Sequence, residues 1–302
     1  MTAQGDAPAQ RGGVIHDIGY RRYEGARLGR GAAVRALFSH SVRAAYGFGR
    51  PGRAKILPFA LVLIMLVPAA VSVAVVTLVP EGTPVELIPY SRYAFFLQAV
   101  VAIYLAAQAP QAVSRDQRFR VLPLYFSRPI LRTDYVLAKF AALGAALFGL
   151  MVAPLLVLYG GALLTDHPAG RHTRDLLEAL VSVAVLAAVL AAVGLVIAAF
   201  TPRRGFGVAA VIAVYLLSYA AVNVVQGFTM SQGDEGAARW AALFTPFQLA
   251  DGVRVWLFGG EPAGPVAPAA GLAGAVFPLV ALALVLGCLG LMVLRYRRVG
   301  LA

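Results

Sequence analysis

Residues 57–79 read LPFALVLIMLVPAAVSVAVVTLV, without one charged side chain among them. An α-helix rises about 1.5 Å per residue, so a run of about 20 apolar residues crosses a hydrocarbon core about 30 Å thick. A strand of a membrane barrel would be about half as long and would alternate apolar with polar residues. The run therefore reads as a membrane-crossing helix. Five more such runs follow, near 93–113, 140–164, 176–200, 206–228 and 272–294. The expected fold class is all-α, a polytopic membrane protein with six transmembrane helices. A segment 1–56 precedes the transmembrane domain 57–294, and a tail 295–302 follows it.

Composition agrees with this reading. Hydrophobic residues make up 60% of the chain and charged residues 13%, and the mean hydropathy is +0.77. Soluble domains are about half apolar and about a quarter charged. Six spans leave no room for a separate globular domain. Cys288 is the single cysteine, so no disulfide can form within the chain. Residues 1–56 hold no apolar h-region, and no signal peptide is expected.

The net charge is +12, and its placement carries the information. Lys and Arg concentrate in cytoplasmic segments. Of the 26 Lys and Arg, only Arg92, Arg171, Arg174, Arg239 and Arg254 fall on one side of the expected spans. The others lie before the first span, after the second, after the fourth and in the tail. Both termini are thus expected in the cytoplasm of a bacterial plasma membrane. The basic charge is a topology signal, and no nucleic-acid partner is expected.

Three segments outside the spans carry pattern. Residues 29–50, GRGAAVRALFSHSVRAAYGFGR, place Val34, Leu37, Phe38 and Val42 at spacings of three and four, with Arg35, His40 and Arg43 opposite. This is an amphipathic helix expected to lie in the lipid interface; the other reading packs it on the protein itself. Residues 114–139, SRDQRFRVLPLYFSRPILRTDYVLAK, mix arginines with Phe119, Leu122, Leu124, Tyr125 and Phe126. Either a surface that docks a partner or a linker anchored on anionic lipid fits that mixture. Residues 229–271 form the longest external loop. Its aromatics Trp240, Phe244, Phe247 and Trp256 suit headgroup level. Short external helices before the last span are expected there, as an outer gate or as a cap without a gating role.

Chemistry-bearing patterns are missing. No Asp, Glu, Lys or Arg lies deep in an expected span, where ion-coupled carriers keep them. Residues 49–55, GRPGRAK, fall short of the G-x-x-x-x-G-K-[ST] phosphate loop. His167 and His172 fit no metal-ligand spacing. No catalytic residue, cofactor or metal is expected, and the chain is not expected to be an enzyme. The few polar span residues, Gln98, Gln108, Ser182, Ser218, Asn223 and Gln226, read as hydrogen-bond partners between helices. The chain is either a pathway driven by a partner or a passive membrane component.

The combination resembles the permease subunit of an ATP-binding-cassette exporter of the ABC-2 type. The resemblance rests on six spans with both ends inside, the basic helix before span one, and the turn Ser127-Arg128-Pro129-Ile130 followed by Arg132, Tyr135 and Lys139. It rests also on the external stretch TPFQLADGVRVWLFGG before the last span. Residues 14–30, VIHDIGYRRYEGARLGR, are similar to actinobacterial members. The resemblance implies a path formed with a second permease subunit, by way of spans one and five. It implies two separate ATPase subunits that bind ATP and Mg. Arg115, Asp116, Arg118, Phe119 and Arg120 would lie in or beside the ATPase-coupling helix. Arg128, Pro129 and Arg132 would lead the chain stiffly into span three, since a residue before proline disfavours helix. The rival readings are a membrane scaffold or assembly protein and a stand-alone secondary transporter.

Overall fold

A computed structural model describes residues 25, 28–78, 87–119, 121–127, 130–164, 169–201, 203–269 and 271–299. All regular structure among them is helical. In chain order the helices are α1 (Arg30–Ala45), α2 (Arg53–Leu78), α3 (Tyr90–Phe96), α4 (Gln98–Arg118), α5 (Leu122–Phe126) and α6 (Arg132–Leu164). Then come α7 (Ala169–Phe200), α8 (Arg204–Ser231), α9 (Glu235–Ala241), α10 (Pro246–Phe258), α11 (Gly271–Gly274) and α12 (Val276–Val299). Five segments are long and apolar enough to cross a membrane: α2, α6, α7, α8 and the α11–α12 stretch. The bent pair α3–α4 makes a sixth. The protein is a multi-pass membrane protein.

The second span differs from the unbroken helix expected over 93–113. It breaks at Leu97 and bends by 59°. Leu97 closes α3 with its N–H on the Tyr93 carbonyl, and its own carbonyl then accepts from Val100 and Val101 to open α4. No Pro or Gly lies at the break. Side chains fix the bend instead. The Tyr93 hydroxyl donates to the Met65 carbonyl of α2, and the Tyr90 hydroxyl pairs with His172 Nδ1 of α7 at 3.3 Å.

Helices α6 and α7 form the centre. The α6 face Leu143, Leu147, Leu150 and Leu158 is buried, as is the α7 face Leu186, Leu190 and Leu195. Lipid tails are as apolar as leucine, so close packing replaces the hydrophobic drive between spans. Gly161 of α6 accordingly sits against Val73 of α2, and Gly194 of α7 against Leu105 of α4. By contrast α2 buries only Pro58, Leu61, Met65 and Ala69. Helix α8 buries only Gly207, Val211, Val222 and Gln226. Much of the rest of both helices is exposed and apolar, as at Leu63, Ile64 and Val71 of α2 and Leu216, Leu217 and Val224 of α8.

Helix α1 packs on α6 through Leu37, Ser41 and Ala45, with Val34 beside them. Phe38 and Val42 are half-buried. Arg30 closes a two-bonded pair with Asp134 at the start of α6, at 2.7 and 2.6 Å. Gly47, at φ +79°, ends α1 in a left-handed turn. There the Phe48 N–H reaches back to the Arg43 carbonyl at 2.8 Å.

Candidate functional site

The ends of α4, α7 and α12 and the start of α6 meet at one end of the bundle, beside α1 and α5. This end holds Arg50, Arg115, Arg118, Arg204 and Arg295. Its centre is Asp116, in the last turn of α4. Asp116 Oδ2 accepts from the Tyr135 hydroxyl at 2.8 Å and pairs with Lys139 Nζ at 2.9 Å. Both donors stand on α6 four residues apart, so they share a helix face. The Lys139 side chain is 6% exposed and that of Asp116 15%. At such burial, removing one partner costs far more than the pair contributes. The Tyr135 ring packs edge-on against Tyr296 of α12 at 5.4 Å between centroids, and against Tyr125 and Phe126 of α5. One carboxylate thus ties α4 to α6, and one tyrosine carries the tie to α5 and α12.

Helix α7 ends in the same cluster. A helix leaves its last carbonyls unpaired, and here other spans supply the donors. The Ser114 hydroxyl donates to the Ala198 carbonyl at 2.9 Å. The Ala199 carbonyl receives Gln117 at 3.1 Å and Arg295 at 2.7 Å. Gln117 also donates to the Tyr296 hydroxyl at 3.1 Å. The guanidinium of Arg295 stacks over Phe200 at 4.4 Å.

The expected coupling residues separate within this end. Asp116 points inward, and Arg115, Arg118 and Phe119 are exposed. Arg132 lies over the Phe126 ring at 5.7 Å. Arg120, Arg128 and Pro129 lie outside the described residues. The short free-standing helix of this segment is α5, with Pro123 in its first turn. It buries Leu122 and exposes Leu124 to 68%. Neither Leu124 nor the bonded set Tyr135, Lys139 and Tyr296 stood among the expected site residues. Tyr135 and Lys139 stood in the turn motif without a site role, and no local spacing links them to Asp116 or Tyr296.

At the opposite end, α9, a 3₁₀ turn (Ala242–Phe244) and α10 cap the bundle. Asp234 caps α9 and Thr245 caps α10, with Pro246 in its first turn. The expected gate aromatics divide. Phe247 is buried against Tyr215, while Trp240 stacks on Phe277 of α12 with centroids 6.4 Å apart. Phe244 is exposed, and Trp256 is partly so. Asp251 and Arg254 form a buried pair, at 8% and 3% side-chain exposure. Arg254 donates to the Glu261 carbonyl at 2.6 Å, and Asp251 accepts from the Ala263 N–H at 2.7 Å. The pair folds the following loop onto α10. Gln226 of α8 and Gln248 of α10 exchange amide bonds at 2.9 and 3.1 Å.

A family model described as ABC-2 family transporter protein matches residues 71–294. The chain belongs to the ABC-2 transporter family. As an ABC-2 permease it is the membrane component of a transporter whose ATPase is a partner, and it is not itself catalytic. The family match contains Asp116, Tyr135, Lys139 and the α9–α10 cap, and leaves α1, Arg295 and Tyr296 outside. No curated protein matches the sequence.

Proposed function

We propose that this ABC-2 permease is an exporter subunit that works with a second permease, as a homodimer or heterodimer, and two ATPase subunits. The ATPases dock on the segment between the second and third spans. The basic end then faces the cytoplasm, with both chain termini, as Lys and Arg placement favours. The exposed apolar sides of α2 and α8 face lipid or the second permease.

The observation that carries the docking assignment is the bonding of Asp116. A push on α5 or on the end of α4 reaches α6 through Tyr135 and Lys139, and reaches α12 through Tyr296. Short bonds between buried groups transmit displacement where a solvated linker would absorb it. Arg118, Phe119 and Leu124 project from the same end and would meet the ATPase. Helix α1 lies along the interface beside them.

Tagged full-length chain should purify with an ATPase that carries a phosphate-binding loop. Purification without one would overturn the assignment in favour of a scaffold or a stand-alone carrier. In that complex Arg118→Glu should cut transport-linked ATP hydrolysis by about tenfold while membrane insertion stays unchanged, since one charge-assisted bond is worth about 1.5–3 kcal/mol. Unchanged hydrolysis would place docking elsewhere.

A further inference from the structure

A cleft of about 520 Å³ lies between α1, α4, α5 and α6 at the basic end. Its lining is mixed in chemistry, with the polar Ser41, Arg50, Gln111 and Arg115 and the apolar or aromatic Phe48, Tyr125 and Leu143.

Among the described residues, the polar lining holds one buried hydroxyl without a partner and two guanidinium groups without a countercharge. Ser41 is 9% exposed, and its hydroxyl is buried without a hydrogen-bond partner. Arg50 donates to the Gln111 side chain, a neutral acceptor. Among the described residues no ion pair uses Arg50 or Arg115. Among the described lining residues the one carboxylate, Asp116, is already taken by Lys139 and Tyr135. Burial, with Arg115 and Arg204 nearby, pushes the Arg50 pKa down against the pull of Asp116. The Ser41 hydroxyl, held out of water without an acceptor, costs free energy until one arrives, and Arg115 stands exposed at the mouth without a countercharge. Guanidinium groups suit the oxygens of a phosphate.

We propose that this cleft binds a phosphate-bearing amphiphile, its phosphate held by Arg115, Arg50 and the Ser41 hydroxyl and its apolar body laid against Phe48, Tyr125 and Leu143. The phosphate comes from a membrane phospholipid or from the soluble pool. The site does not depend on the docking assignment.

The test uses the full chain in neutral detergent, with dioctanoyl phosphatidylglycerol, dioctanoylglycerol and inorganic phosphate as probes. Phosphatidylglycerol should bind at least about tenfold tighter than dioctanoylglycerol, the scale of a charge-assisted contact. Arg115→Gln should weaken it about tenfold and Arg115→Lys by less, because lysine keeps the charge. Ser41→Ala should weaken it about threefold while raising the melting temperature of the unliganded chain, since it removes an unpartnered buried hydroxyl. Among the described residues the Arg115 side chain makes no hydrogen bond or ion pair, so its variants should melt as the wild type does. Competition by inorganic phosphate would assign the soluble source, and its failure the lipid source. Equal binding of dioctanoylglycerol, or wild-type affinity in both Arg115→Gln and Ser41→Ala, would overturn the proposal.

Discussion

At the basic end Asp116 and Lys139 join two separate spans, α4 and α6. At the opposite end Asp251 and Arg254 sit three residues apart on one short helix and hold a loop against it. Both pairs are buried, yet they act over different ranges. The first carries on through Tyr135 to α5 and α12. The second ends in the backbone of residues 261 and 263. Burial alone therefore does not set the reach of a pair. What sets it is how many separate helices a buried charge connects, and at the basic end that number is larger.

The contrast can be broken by substitution. Arg254→Met strands Asp251 without a countercharge, held by the Ala263 N–H alone, and at 8% side-chain exposure this should cost about 3–5 kcal/mol. Trp240 and Trp256, the chain's two tryptophans, both lie in the cap. Their fluorescence during thermal unfolding in detergent should report that loss directly. Lys139→Met leaves Asp116 partly solvated and still bonded to Tyr135, so it should cost less, about 2–3 kcal/mol. Its larger effect falls on the connection between α4 and α6. The gap between the two unfolding curves sharpens the comparison; a costlier Lys139→Met would reverse it.

Smaller effects separate bonds between helices from bonds within one. Gln226→Leu orphans Gln248 and should cost about 1 kcal/mol, near the usual value of an interhelical bond in a membrane. Asn223→Ala should change the melting temperature by less than the measurement resolves. Asn223 donates to the Tyr219 carbonyl of its own helix, and Ser218 does the same to Tyr215. The expectation that these polar residues join helices holds for Gln226 and for Gln98, which accepts from Tyr215 of α8 at 3.0 Å. It fails for Ser218 and Asn223, whose side chains are short enough to bond back along their own turn.

The apolar runs were legible because each meets a requirement of the bilayer by itself, whatever its neighbours do. The run 57–79 must span or stay buried, and no tertiary contact is needed to say so. The break at Leu97 was hidden because tyrosines reaching to α2 and α7 impose it, with no proline or glycine to announce it. The Asp116–Tyr135–Lys139 set was half legible. Tyr135 and Lys139 appeared in the turn motif, but only folding brings Asp116 back across α5 to meet them. Asp251 and Arg254 stand at helical spacing, yet their burial comes from the loop after α10. Among the described residues α5, rather than the Arg115–Phe119 stretch at the end of α4, is the separate short helix. Its five residues carry too little periodicity to be seen in advance.

The most direct test of the docking claim places a photo-crosslinking phenylalanine analogue at Leu124 in one chain and at Phe244 in another. Each chain is expressed at native level in its own membrane. Irradiation should join the Leu124 chain to an ATP-hydrolysing subunit and leave the Phe244 chain free of it. An ATPase adduct at Phe244, or none at Leu124 in a complex that contains the ATPase, would contradict the account.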